Sequence, residues 1–269
     1  MGAIVGFLRT VIEGIVTPFD YLGPFWGLTL LSFLSGVGML WVVGKTTPQK
    51  LVERSRNRMD SAIYEIRLFI DSPKWVLRGV GRLLSHSVLY IAFMLPAFVI
   101  LAVPLGMMYL SLEIRHGMEP VPVGRNVVVA IELAEGVNGR GLELQVPETL
   151  KLTAHPMYVA SKNAVYLRMT PTKATTSTLK IVVDGTTVEK QIVSNAAATK
   201  MAPDRASGLD LFLSYGAEAR LDGPVTGIQV PHESRTESYL GIDMPWWLWW
   251  LLVMMVAAFG LRKRLGVAL

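Results

Sequence analysis

Four histidines, His86, His116, His155 and His232, are the first candidates for chemistry in this chain of 269 residues, which has no cysteine. No two of them have the spacing that puts two rings on one helix face, as H-E-x-x-H does, and no thiolate exists to act as ligand, nucleophile or acylation site. A dinucleotide-binding G-x-G-x-x-G, a Walker loop, a G-x-S-x-G elbow and an EF-hand loop are all absent from the sequence. Ionisable residues inside apolar segments mark ion and proton paths. The three apolar segments Gly23–Gly44, Val88–Leu112 and Pro245–Leu261 contain none. The expectation is a chain that is not an enzyme, has no catalytic residue, metal or cofactor, and forms no transport path alone.

Three sets of side chains keep chemical character. Thr29, Ser32, Ser35, Gly36 and Met39 lie in the first apolar segment and Pro96 and Pro104 in the second. They could line a shallow polar groove or let helices approach closely, and Ser32 and Gly36 have the small-x-x-x-small spacing for the latter. The second set is cationic: Lys45, Lys50, Arg54, Arg56, Arg58, Arg67, Lys74, Arg78 and Arg82 lie between the first two apolar segments, against four acids. Such a cluster attracts anionic lipid by about 1 kcal/mol per Lys or Arg near the surface. Trp246, Trp247, Trp249 and Trp250 form the third set, and indole rings favour the headgroup level of a bilayer.

Positioning these residues calls for membrane helices. The composition is 51% hydrophobic and only 17% charged, against about 25% charged for soluble domains. A hydrocarbon core of about 30 Å takes roughly 17–25 helical residues. Spans are therefore expected at 23–44, 88–112 and 245–261. Residues 1–20 carry Ile4, Leu8, Val11, Ile12 and Ile15 on one side of a helix and Arg9, Thr10, Glu13 and Thr17 in a polar stripe, which predicts an interfacial amphipathic helix. Segment 45–84 predicts a basic arm: a helix opened by Thr47-Pro48 and running to about Ile70, a break at Asp71-Ser72-Pro73, then a second amphipathic piece. The pair either folds back on itself or lies along the headgroups.

Beyond Arg125 the period becomes alternating. Strands are expected at 126–133, 142–146, 150–154, 164–170, 179–183, 187–193 and 225–230, with Asp184-Gly185 as a two-residue hairpin turn. That number of strands fits an all-β, Ig-like sandwich inserted at 114–243. The apolar island Leu209–Tyr215 is expected to be a short helix in a crossing loop. The positive-inside rule orients the whole. The arm and the tail 262–269, with Arg262, Lys263 and Arg264, belong in the cytoplasm; segment 114–243, with 13 basic and 14 acidic residues, belongs outside, as does the N-terminus. The fold class is thus an α-helical membrane protein with three spans, a cytoplasmic helical arm and an extracytoplasmic β-sandwich. Its place is the inner (plasma) membrane. The formal charge of +5 is not gathered on one folded face, so no nucleic-acid partner is expected.

The order of these parts resembles the YidC/Oxa superfamily of membrane-protein insertases. It is most similar to the three-span branch, with the third subunit of the ER membrane protein complex and archaeal relatives. The likeness is carried by residues 16–66 and by LYIAFMLPAFVILAVPL at 89–105. The YEIRLFIDSP segment at 64–73, the β segment and the ending FGLRKRLGVAL at 259–269 are also similar to bacterial envelope proteins of the same layout. The resemblance implies insertase or chaperone activity toward hydrophobic clients. The positively charged groove residue of that superfamily has no counterpart between Gly23 and Gly44. The residues themselves point to a non-catalytic envelope protein whose β-sandwich binds or scaffolds a protein partner. A client of an insertase is the alternative.

Overall fold

The structure is a computed structural model and describes residues 2–195, 197–207 and 214–267. The chain divides into two compact units, Met1–Pro24 with Met107–Trp247, and Phe25–Gly106 with Leu248–Leu269.

The second of these units is helical. Pro24 opens a helix, α2 (Pro24–Thr46), where its fixed φ suits the first turn; α1 (Gly2–Val16) belongs to the other unit. The arm follows as α3 (Gln49–Leu68) and α4 (Pro73–Leu112). The first arm helix begins later than Thr47-Pro48 implied, because Pro48 stands at the cap and its carbonyl accepts the N–H groups of Leu51 and Val52 at 2.8 and 3.2 Å. Of the two expected arrangements of the arm, the fold-back is the one formed. Glycine makes it possible: a Cβ at Gly79 would stand 2.6 Å from Ile66 Cγ1. Ser87 donates to the Met59 sulfur at 3.3 Å, Arg82 pairs with Glu65 at 2.8 Å, and Phe69 stacks on Trp75 across the turn at 5.7 Å. The helix α4 continues through Pro96 and Pro104 for 40 residues. A final apolar helix, α5 (Trp246–Leu261), reaches 16 residues. Leu40 and Val43, Val52, Met94, Ala97 and Leu101, and Ala258 form the unit's core.

Two helices, Pro24–Thr46 and Pro73–Gly117, are long and apolar enough to cross a membrane. Their outward side chains are apolar as well. Val88, Ile91, Leu95, Phe98 and Val99 on α4 and Trp26 and Trp41 on α2 are all more than half exposed. In water such a band would be costly, at about 25 cal/mol per Å² of apolar surface.

The other unit holds α1, a 3₁₀ turn at Thr17–Leu22, the end of α4 and an antiparallel β region. Its strands are β1 (Val127–Leu133), β2 (Glu143–Gln145), β3 (Leu150–Leu152), β4 (Met157–Val159), β5 (Ala164–Pro171), β6 (Thr176–Val183), β7 (Thr186–Val193), β8 (Asp204–Ala206), β9 (Val225–Gln229), β10 (Glu237–Tyr239) and β11 (Ile242–Met244). One sheet runs β3-β5-β1-β9-β8 with β4 also on β5; a second runs β2-β6-β7; β10 and β11 form a hairpin. Both larger sheets feed one core. Val129, Ile131, Leu167, Met169 and Ile228 come from the first and Leu179, Ile181, Val183, Val188 and Ile192 from the second. Alternation explains the assignment: β6 buries Ser177, Leu179, Ile181 and Val183 and exposes most residues between them. The β6–β7 turn uses Asp184 and Gly185 at φ 48° and 74°, the mirror-image turn that matches strand twist.

Four strands, β4, β8, β10 and β11, were not foreseen; each has three residues, too few for a period-2 signal. The expected helix at Leu209–Tyr215 falls largely outside the described residues.

Candidate functional site

The most elaborate arrangement of ionisable groups lies in the β-containing unit, where the polar stripe of α1 meets the end of α4 and two loops of the β region. Beyond Leu112 the chain forms a π turn, Glu113–Gly117, that carries Arg115. The residue is only 5% exposed, yet its guanidinium is surrounded by acceptors. Nη2 donates to Glu13 Oε2 at 2.8 Å, Nε to Asp20 Oδ1 at 3.1 Å, and Nη1 to the carbonyl and hydroxyl of Ser111 at 2.8 and 2.7 Å. The same Ser111 hydroxyl donates to Glu13 Oε1 at 2.6 Å, and Lys200 pairs with Glu13 from the loop before β8. A planar fork with several N–H donors suits such shared carboxylates. Burial alone would raise the Glu13 carboxyl, but its bonds to Arg115, Lys200 and Ser111 outweigh that and hold it down to about 2.

Beside this cluster lies an open cavity of about 1030 Å³. One wall is the α1 face formed by Gly6, Arg9, Thr10, Glu13 and Gly14, continued by Thr17, Pro18 and Tyr21 of the 3₁₀ turn. The facing wall is Lys200 and the segment Gly216–Arg220. That segment is pinned from behind. Lys190, wholly buried, donates to the Ala202 carbonyl at 2.8 Å and pairs with Glu218, whose other oxygen accepts the Gln191 N–H at 2.8 Å. Burial pushes the Lys190 ammonium down from its ordinary value against the pull of Glu218. Asp204 accepts the Tyr215 N–H at 3.0 Å, Arg205 donates to the Ala219 carbonyl at 2.6 Å, and Arg9 donates to the Ser214 hydroxyl at 3.0 Å. Burial pushes the Asp204 carboxyl up.

A second polar knot lies nearby in sequence. Glu113 accepts the Trp246 indole N–H at 2.8 Å, and Glu237 accepts from Tyr239 at 2.8 Å and pairs with Arg235 at 3.0 Å, with His116 at 3.9 Å. A Cβ at Gly117 would stand 2.5 Å from the Glu113 carboxylate, so a larger residue there would displace that side chain. Chemically, both knots fix chain segments by charge, and the cavity offers a basin of mixed apolar and charged lining. Among the described residues no group of three His, Cys, Asp or Glu is arranged to hold a metal ion.

No family model, curated protein or solved structure matches the chain.

The residues singled out in sequence are distributed differently. Ser32 is fully buried and donates to the Leu28 carbonyl at 2.6 Å, and Ser35 and Thr29 donate to Leu31 and Phe25 at 2.6 and 2.7 Å. Thr29 also accepts the Trp249 N–H at 2.9 Å. At Gly36 a Cβ would stand 2.7 Å from the Met254 carbonyl and 2.9 Å from the Ala257 Cβ, so α2 and α5 meet there. Met39 packs on the helical core, while Pro96 and Pro104 face outward. All nine arm cations are exposed. Of the four tryptophans, Trp246 and Trp250 are buried within the protein, Trp249 is half-buried and Trp247 is exposed. The cluster around Arg115 was not read from the sequence. One signal for it existed: an arginine three residues beyond an uncharged span needs a partner near the bilayer, and Glu13 and Asp20 precede the other span.

Proposed function

We propose that the protein is a non-catalytic integral membrane protein of the inner (plasma) membrane whose helices anchor an extracytoplasmic, Ig-like β-sandwich that binds or scaffolds a protein partner. The carrying observation is the combination of long helices exposing apolar side chains with a β region that has its own two-sheet core. In this reading α5 makes a third crossing. At about 1.5 Å per residue it is short for a core of about 30 Å, and local thinning of the bilayer accommodates it. The N-terminus and the β-sandwich are outside, and the arm and Arg262–Arg264 inside.

The partner surface is the outer face of the larger sheet. Met157, Tyr166 and Ala130 align across β4, β5 and β1, and Val128 lies beside them; Met157 and Val128 are exposed. Photocrosslinking in cells tests the assignment. A crosslinker at Tyr166 should capture one protein that also co-purifies in mild detergent, whereas one at Val182 on the other sheet should not. A solitary monomer, uncrosslinked at Tyr166, would refute it.

The resemblance to the YidC/Oxa superfamily supports a second reading, an insertase-like component. Exposed Leu51, Ile63, Leu68 and Ile70 among the arm's cations favour it, because they offer a hydrophobic client both apolar contact and charge. Crosslinks from Met59 and Ile63 to nascent membrane proteins would select this reading over the first.

A further inference from the structure

We propose that Glu218 and Arg205 form a guard on the edge of β7: they hold the backbone positions that an added strand would use, and so keep β7 from pairing with the β7 of a second copy. The inference stands on the geometry of the sheets alone, whichever side of the membrane the β region occupies and whatever its outer face binds.

Length singles out β7. A sheet edge presents unpaired N–H and C=O groups to any passing strand, and proteins blunt such edges by keeping them short, bulged or interrupted by proline. The other strands at the edges of the two larger sheets, β2, β3, β4 and β8, have three residues each, whereas β7 has eight. It pairs with β6 through eight consecutive positions without a bulge, and it contains no proline. Left bare, its outer edge would be a good template.

The phase of the pairing shows which groups are at stake. The two-residue turn at Asp184-Gly185 makes Val183 and Thr186 a hydrogen-bonded pair, so Val188, Lys190 and Ile192 turn their backbone groups toward β6. Thr187, Glu189, Gln191 and Val193 turn theirs away. In the middle of the strand, two of these outward groups are met by side chains. The Gln191 N–H donates to Glu218 Oε1 at 2.8 Å, and the Glu189 carbonyl accepts from Arg205 Nη1. At the end of the strand, the Val193 carbonyl accepts the Val121 N–H at 2.9 Å. An incoming strand needs the Glu189 and Gln191 groups together, and both are occupied.

The residue types fit a guard better than a brace. A buried ion pair such as Lys190–Glu218 is often no more stabilising than apolar side chains of similar volume. Apolar residues could fill that site, but they could not accept the Gln191 N–H, as the second oxygen of Glu218 does. An inward-pointing charge on an edge strand, here the wholly buried Lys190, is itself a deterrent to pairing. Arg205 likewise reaches beyond its own strand, from β8 to the carbonyls of Ala219 and Glu189.

The test uses the full chain in detergent micelles, with its oligomeric state read by sedimentation and native mass spectrometry. Lys190→Met with Glu218→Leu removes both buried charges together, and Arg205→Ala removes the second cap. The triple variant, with circular dichroism showing its β content kept, should self-associate about tenfold more tightly than the wild-type chain, as two recovered backbone hydrogen bonds imply. Adding Gln191→Pro should cancel the gain, because that N–H points away from β6 and its loss leaves the hairpin intact. A folded triple variant that associates no more than wild type overturns the proposal, and so does association that survives Gln191→Pro. Hydrogen exchange in the wild-type chain gives a second reading that no folding defect can obscure. The Gln191 amide should exchange more slowly than those of Thr187 and Glu189, which point the same way and have no partner among the described residues. Equal exchange at all three would remove the guard.

Discussion

Arg115 shows how much a single buried charge can organise. Removing one partner of a buried ion pair costs about 3–5 kcal/mol, because the remaining charge is left without compensation. Arg115→Met leaves Asp20 without its ion-pair partner and Glu13 with only Lys200 and Ser111 at neutral pH, so a marked fall in melting temperature is expected. The sign of its pH dependence follows from Glu13. Its carboxyl is lowered from the ordinary 4.5 to about 2 in the folded protein. Its stabilising contribution is therefore complete above about 4.5 and is lost as pH falls toward 2. Melting curves in detergent between pH 7 and pH 2 should show a steep acid loss for the wild-type protein and a shallower one for the variant. Parallel curves would show that the cluster does not work this way. The polar stripe of α1 was legible in the sequence as amphipathicity. Its counter-ions were not, since Arg115 and Lys200 lie 102 and 187 positions away and no local pattern encodes such a pairing.

Among the elements, legibility follows length and turn chemistry. The three eight-residue strands β5, β6 and β7 repeat the two-residue period often enough to be read, and Asp184-Gly185 announces its own hairpin. The β10–β11 hairpin has the same geometry, but its turn places Leu240 at φ 55° before Gly241, and leucine gives no such signal. The arm left two arrangements open in sequence, and a glycine decides between them. Gly79 and Gly81 are two residues apart on α4, yet a Cβ at the first would collide with Ile66, whereas one at the second meets nothing within 4 Å. Because the chain has no cysteine, a pair introduced at Met59 and Ser87 reports the hairpin cleanly. It should oxidise to a crosslink in the wild-type background and with Gly81→Leu. Gly79→Leu, an overpacking change of about 1–3 kcal/mol, should abolish the crosslink. A crosslink that survives Gly79→Leu would show that the helices do not depend on this close approach.

For the whole molecule, sidedness is the property on which the proposed partner surface depends. The nine exposed cations of the arm and the near-neutral segment 114–243 predict opposite compartments. Protease added to intact spheroplasts should cut near Ala198 and spare Arg56; the reverse pattern would invert the topology. The two apolar helices were legible because hydropathy needs no tertiary information, whereas the sixteen-residue α5 falls near the limit where length alone stops being informative. The pairing of Glu13 with Lys200 also sets an order of events during biosynthesis. The first helix leaves the ribosome long before the segment that will clamp it exists, so its stripe remains wet until translation has passed residue 220 and the sheets have closed. Final locking of the amino-terminal helix is then a late step, and a chain stalled before that point would hold the helix only loosely.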